Sequence, residues 1–525
     1  MPVKPTYPGV FIEELPQGER TITGVATSVT GFIGRALRGP VNEPSLIHSF
    51  IEFERIFGGL WSESPMSYSL QHFFMNGGRD AVIVRINNNA NTANFRLAPE
   101  SRARKWLFEA RNPGSWGSNL RLRVDYNTEN PDDSDLFNLF ISEIVANSDP
   151  IQIKYSEVLK NISVNANAPR YIEKVLEQSS ILIKINKPIP KVRPTIIGTP
   201  IELNGKRAAD NHWQGPSMMG HDGIELTFNQ YEGFEIEKTG IYAFRNTDLL
   251  NILVIPPMAR DKEIQPSTWD KALKLCKDKR AMLIVDPPFT WTKPSDVTSK
   301  DAITNVLVRD ENAAIYFPFV KIADTLKENR LETFVPSGAV AGIWARTDSE
   351  RGVWKAPAGK EAILQRVKEL TYTLTNRENE LLNPLGVNCL RTFPSTGNVI
   401  WGARTMKGID QLSSEWKYIS VRRLALYIEE SLYRGTRWAV FEPNDEHLWA
   451  QIRLSVDTFM QDLFRQGALQ GASPKETYFV RCGKETTTQS DLNKGILSII
   501  VGFAPLKPAE FVIIKIQQIA GQIKS

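Results

Sequence analysis

Acid-base or metal chemistry would have to draw on five histidines, His48, His72, His212, His221 and His447, the side chains that titrate near neutrality without help. His212 and His221 stand nine apart in NHWQGPSMMGHDG, with Asp222 beside them. Two imidazoles and a carboxylate can hold zinc, but that spacing in a Gly-rich run reads more simply as a surface loop. Cys276, Cys389 and Cys482 are too scattered for a ligand or redox motif and read as packing residues of a reduced compartment. Asp286 ends the apolar run AMLIVDPP, which puts a carboxylate at the carboxyl edge of a sheet, where α/β proteins bind ligands. The chain carries no GxxxxGKS or GxxxxGKT loop, no GxGxxG after a strand, no GxSxG elbow and no HExxH. Two prolines after Asp286 favour a strand terminator whose carboxylate caps a local turn. The chain is therefore read as a non-enzyme with no catalytic, cofactor-binding or metal residue assigned. An α/β enzyme or ligand-binding protein with an unrecognised site is the alternative.

The elements that would position such groups follow from length and pattern. With 525 residues, 42% hydrophobic and 23% charged, the chain is long enough for two to four domains and too apolar for disorder. A formal net charge of +4, from 63 basic and 59 acidic residues, gives no global pull toward nucleic acid or an anionic membrane. No apolar run reaches the roughly 20 residues of a bilayer span, and the start lacks a signal pattern, so synthesis and folding in the cytoplasm are expected.

Prolines at positions 2, 5, 8 and 16 make residues 1–20 an extended arm. An α/β (α+β) multidomain fold is expected beyond it. A core domain, residues 21–94 and 241–345, begins with TITGVATSVTGFIG and DAVIVRI and resumes with LLNILVIPP, WDKALKLCKDK and AMLIVDPP. Near-continuous apolar strands of this kind belong to a sheet covered on both faces. The polar run NNNANTAN opens a mostly β insert over 95–240, built from segments such as LRLRVDY, LFNLFI and ILIKI. Residues 346–509 form a C-terminal α+β domain, in which Leu448, Ile452, Val456, Phe459 and Leu463 fall in one helical stripe. The small-residue run Gly338–Gly342 is too short for a membrane helix and reads as a tight turn with close backbone approach. Residues 510–525, which open with EFVIIKIQQI, are apolar on both strand faces and form a C-terminal arm strand.

Several stretches resemble the contractile tail sheath family of phage tails and phage-tail-like injection machines. They are YPGVFIEELPQGERTITGVATSVTGFIGRALRGPVNEP at 7–44, KTGIYAFRNTDLLNILVIPP at 238–257, PSGAVAGIWARTDSERGVWKAPAG at 336–359, LNPLGVNCLR at 382–391 and GFAPLKPAEFVIIKI at 502–516. They cover both ends and skip the insert, which the resemblance assigns to the outer surface of a sleeve.

The resemblance implies a subunit that stacks as hexameric rings in a helix around an inner tube and contracts to drive the tube through a target envelope. Its implied partners are copies of itself, the inner tube protein, baseplate and terminal cap proteins and, in some machines, sheath paralogues, with no cofactor, no nucleic acid and no membrane insertion. The implied site of action is a virion tail, or a particle in the cytoplasm or released from the cell. Neighbouring subunits exchange arms as strands, which places Tyr7, Pro8, Gly9, Val10, Phe11, Phe511, Val512, Ile513, Ile514 and Ile516 in inter-subunit contacts. Pro16, Gly18, Gly502, Pro505 and Pro508 are the expected hinges. Arg422, Arg423, Arg434 and Arg437, around a helix with Glu429 and Glu430, are the expected tube-facing charges of the C-terminal domain; a solvated helix face with internal ion pairs is the competing reading.

Overall fold

The computed structural model describes residues 21–146, 152–197, 213–307 and 309–513. The chain opens with β1 (Thr30–Gly34), β2 (Ser45–Ile47), α1 (Phe50–Phe57), α2 (Pro65–Met75) and β3 (Ala81–Arg85). It then leaves for β4 (Asn94–Leu97), β5 (Trp106–Ala110), β6 (Leu120–Asp125), β7 (Leu136–Ile144), β8 (Ile153–Ser163), α3 (Ile172–Ser179) and β9 (Ile183–Ile185). It returns through α4 (Phe228–Glu232), β10 (Ile252–Val254), α5 (Pro266–Asp278), β11 (Met282–Val285), α6 (Pro294–Val297) and β12 (Ala313–Phe317). β13 (Val320–Asp324), β14 (Arg330–Phe334), α7 (Ser337–Arg351), β15 (Glu369–Leu370), α8 (Asn376–Leu382), β16 (Val387–Phe393) and β17 (Gly397–Ile400) come next. Last are α9 (Ile419–Gly435), α10 (Glu446–Arg465), α11 (Pro474–Thr477), β18 (Tyr478–Arg481), α12 (Gln489–Asn493) and β19 (Ile500–Phe503).

One eight-stranded sheet, ordered β17-β16-β12-β11-β10-β1-β3-β2, organises the molecule. Its six inner strands run parallel, and β2 and β17 close the edges antiparallel. Every residue of β1, β3, β10, β11 and β12 is buried, because helices cover both faces and successive side chains alternate between two cores. Leu253, Leu283, Val285 and Ile315 pack toward α5, while Ile252, Met282, Ile284 and Tyr316 pack toward α2 and α7.

The sheet does not stop near residue 345 as the sequence pattern suggests. β16 and β17 extend it to Ile400, and Arg404 is tied to it through Asn388. A second correction falls on Gly338–Gly342, which lie inside the fifteen-residue α7 and make no turn. The close backbone approach is present. A Cβ on Gly338 would stand 2.1 Å from the Ser69 carbonyl oxygen, and one on Gly342 would stand 2.4 Å from that of Phe73, so α2 and α7 touch backbone to backbone.

The excursion from β4 to β9 has its own core between two three-stranded sheets, β4-β5-β9 and β6-β7-β8. The last module packs α9 and α10 around Leu424, Ile452, Val456, Phe459 and Met460, with the β18-β19 hairpin against them. All five residues of the predicted α10 stripe are buried.

Candidate functional site

The crevice at the carboxyl edge of β10 and β11 is real, with a volume of about 570 Å³ and a lining that includes Asp286, Glu263, Asp296, Trp269 and Trp291. Its lining contains no His, Cys, Lys or Arg among the described residues. Asp286 is engaged elsewhere: its carboxylate accepts from the Ser337 amide at 3.1 Å and the Ser337 hydroxyl at 2.7 Å, at the first turn of α7. It therefore caps a helix fifty-one residues away and not the local turn expected. Burial pushes its pKa up to about 7, against two hydrogen bonds that pull it down.

The remaining titratable candidates stay apart. His48 meets Asp80 at 2.7 Å on the surface, and buried His72 packs edge-on against Phe334. His221 accepts from the Gly223 amide, and Asp222 accepts from the Ser115 amide and hydroxyl. His447 pairs with Gln451 at 2.9 Å, and His212 lies outside the described residues. No group of three or more His, Cys, Asp or Glu among the described residues could hold a metal ion. The three cysteines are buried and free.

The arginines of α9 hold the C-terminal module to the sheet module. Arg423 makes a fork with Asp348 of α7 at 2.9 and 2.5 Å, with both side chains under 5% exposed, so it has no charge to present at a surface. Arg422 donates to Asn312 at 3.0 Å, and Arg434 reaches Asp248 and Glu430, each at 2.7 Å. Arg280, after α5, closes the same seam on Glu430 at 2.8 Å. Arg437 alone of the four is exposed, stacked over Tyr433 beside exposed Val440 and Phe441.

The hairpin behind this seam is incomplete. β18 pairs with β19 in the register Tyr478 to Phe503 and Arg481 to Ile500, and neither strand has a further strand beside it among the described residues. Tyr478, Val480, Val501 and Phe503 pack on the α10 core, while Phe479 and Ile500 are exposed. A two-stranded ribbon is marginal alone and gains from a third strand.

Gly502, one of the expected hinges, lies within β19, and Pro505, another, follows two residues after that strand ends. Gly502 is a strand residue under the Phe479 ring, and the amide of Ala504 donates to Thr477 while its carbonyl accepts from Gln470. Pro508 is soon succeeded by the fixed residue Glu510. There Arg404 donates through Nε and Nη2 to the two carboxylate oxygens at 2.7 and 2.8 Å, and Asn383 and Tyr418 add bonds of 2.8 and 3.1 Å. Phe511, Val512 and Ile513 then project, exposed. Tyr7 to Phe11, Pro16, Gly18, Ile514 and Ile516 lie outside the described residues.

A large parallel sheet whose chain continues into an open-edged hairpin is matched by family models along the same stretch. Residues 245–406 match the phage tail sheath protein central domain, and residues 411–519 match the phage tail sheath C-terminal domain. The chain belongs to the phage tail sheath family. It is 24% identical over 284 residues to a putative prophage major tail sheath protein of Pseudomonas aeruginosa, covering 52% of this chain and 67% of that one. It is 26% identical over 190 residues to the tail sheath protein of Vibrio phage KVP40, covering 35% of this chain and only 27% of that relative's length.

Solved structures share the fold over nearly the whole chain. The sheath complex of an extracellular contractile injection system in its contracted state is 20% identical, covers 98% of both chains and has a TM-score of 0.57. The sheath tail protein of Listeria innocua is 14% identical, with coverage of 93% and 96% and a TM-score of 0.60.

Proposed function

We propose that this chain is the structural subunit of a contractile sheath, stacking as hexameric rings in a helical sleeve around an inner tube that its shortening drives through a target envelope. The observation that carries this reading is the β18-β19 hairpin, with open edges among the described residues and exposed Phe479 and Ile500, together with the exposed apolar residues Phe511, Val512 and Ile513. A neighbour's terminal segment added as a strand would gain roughly 1 kcal/mol net per backbone hydrogen bond and bury those side chains. Such head-to-tail contacts do not close on two copies and propagate as a helix.

In this arrangement residues 95–240 decorate the outside, and Arg437, Tyr433, Val440 and Phe441 are the tube-facing candidates left once the other arginines are assigned to the seam. Inner tube, baseplate and terminal cap proteins complete the particle, with sheath paralogues in some machines. The subunit's part is mechanical, with no reaction and no cofactor assigned to it. No helix among the described residues is long and apolar enough to cross a membrane, in keeping with a tail or tail-like particle.

Negative-stain electron microscopy of the full chain supplied with its tube protein tests this reading. Sleeves or ring stacks are expected, and they are lost when residues 1–20 or 511–525 are removed. Uniform small particles from the full chain would overturn it.

A further inference from the structure

A strand lent to a neighbour is useful in a contracting lattice only if tension on it reaches the donor's rigid body. Between β19 and the exposed tail the chain is irregular, and a pull on such a segment would peel it back toward the hairpin unless something stops it. Glu510 is positioned to do so. Its carboxylate is gripped by four donors from three side chains: two from Arg404 and one each from Asn383 and Tyr418.

The grip continues inward. The Arg404 side chain is only 1% exposed, and its remaining amine donates to the Asn383 carbonyl at 2.9 Å, the Gly408 carbonyl at 3.3 Å and Asp410 at 3.0 Å. Its backbone is held on both sides by one residue of β16: Asn388 Oδ1 accepts the Arg404 amide at 2.7 Å, and Asn388 Nδ2 donates to the Arg404 carbonyl at 2.8 Å. The same Nδ2 reaches the Ile315 carbonyl of β12 at 3.1 Å. A short chain of polar contacts thus joins the start of the projecting tail to β16 and β12 of the eight-stranded sheet and bypasses the hairpin.

We infer that Arg404 and Glu510 are the anchor through which a second copy's hold on residues 511–525 is transmitted to the central sheet, making both residues positioning residues for assembly. The inference rests on the proposed strand exchange. A charged fork resists shear better than a single hydrogen bond because two parallel bonds must break together. Phe511–Ile513, the first residues past the anchor, become the flexing point in place of Gly502–Pro508.

The test uses full-length chains assembled into sleeves and tracks their dissociation rate in urea. Glu510→Ala is expected to shorten sleeve lifetime roughly 10- to 100-fold, the range set by breaking a largely buried charged fork. Arg404→Lys, which keeps the charge but loses the fork, is expected to fall between this variant and the wild type. A synthetic peptide of residues 511–525 should bind tail-deleted subunits equally well whether position 510 is Glu or Ala, because the acceptor hairpin is untouched. Wild-type lifetimes for Glu510→Ala sleeves would overturn the inference, as would weakened peptide binding, which would make Glu510 a general fold contact. If deleting residues 511–525 leaves sleeves unchanged, strand exchange by this tail itself fails.

Discussion

Asp348 and Arg423 form the central contact of the seam between the sheet module and α9. Asp348 Oδ2 also accepts from Thr27 Oγ1 at 2.7 Å, and Arg423 donates to the Thr27 carbonyl at 2.9 Å, so the segment leading into β1 is tied into the same joint. Removing one partner of such a pair strands the other in a low-dielectric interior. Asp348→Ala is therefore expected to lose on the order of 3 kcal/mol in urea unfolding, and the loss should not add to that of Arg423→Met. Additive losses would mean that the two residues act independently.

The backbone contact of α2 with α7 gives a second expectation. Gly338→Ala forces a methyl group against the Ser69 carbonyl oxygen, and backbone cannot swing aside as a side chain would. A cost of about 2 to 3 kcal/mol is expected, read as a fall in melting temperature. The same change at Gly359, with nothing within 4 Å of its Cβ but φ at +100°, should cost only backbone strain of about 1 kcal/mol.

Asp286 carries a pH signature. Its folded pKa, about 7, exceeds its ordinary value of 3.8, so the folded state holds a proton that the unfolded state has released. Its contribution is fully present below 3.8 and is lost as pH rises toward 7, after which it stays constant. Asp286→Asn should remove this dependence and be more stable than wild type at pH 8 by on the order of 2 to 4 kcal/mol, in chemical denaturation run across the range. A stability difference between the two proteins that does not change with pH would refute it.

Glu510 has the opposite sign. Burial raises its carboxyl pKa, but the bonds from Arg404, Asn383 and Tyr418 outweigh this and leave it below the ordinary 4.5. The anchor should therefore be intact above 4.5 and weaken as pH falls below it. The lifetime gap between wild-type and Glu510→Gln sleeves is expected to hold from pH 8 to about 5 and to narrow on further acidification. A gap that widens in acid would contradict the geometry.

The parallel strands are legible in the sequence because burial on both faces leaves unbroken apolar runs, as in AMLIV and DAVIV. The α10 stripe is legible because one face is solvated. α7 is not, since a helix packed backbone to backbone is built from Gly and Ala and carries no stripe to read. β16 and β17 escape notice because they join the sheet only after the long stretch between α7 and β16, which holds only short elements such as β15 and α8, so the sequence pattern ends the core near 345. Arg422 and Arg423 look equivalent in sequence, yet a single residue of helix phase puts the second in the interior. Arg404 and Glu510 are 106 residues apart, and nothing local marks either as the other's partner.

The hairpin offers the most direct prediction about assembly. Phe479 and Ile500 lie on its exposed face, opposite the residues that pack on α10, so a charge at either position costs the folded subunit little. A strand docking beside β18 or β19 would have to desolvate that charge. Phe479→Asp with Ile500→Asp should leave the melting temperature of the monomer within a few degrees of wild type and abolish sleeves in electron micrographs. Mixed with wild-type chains, these subunits can still donate a tail but cannot accept one, so they should shorten sleeves in proportion to their fraction. Sleeves of normal length from the double variant alone would show that strand addition occurs elsewhere on the molecule.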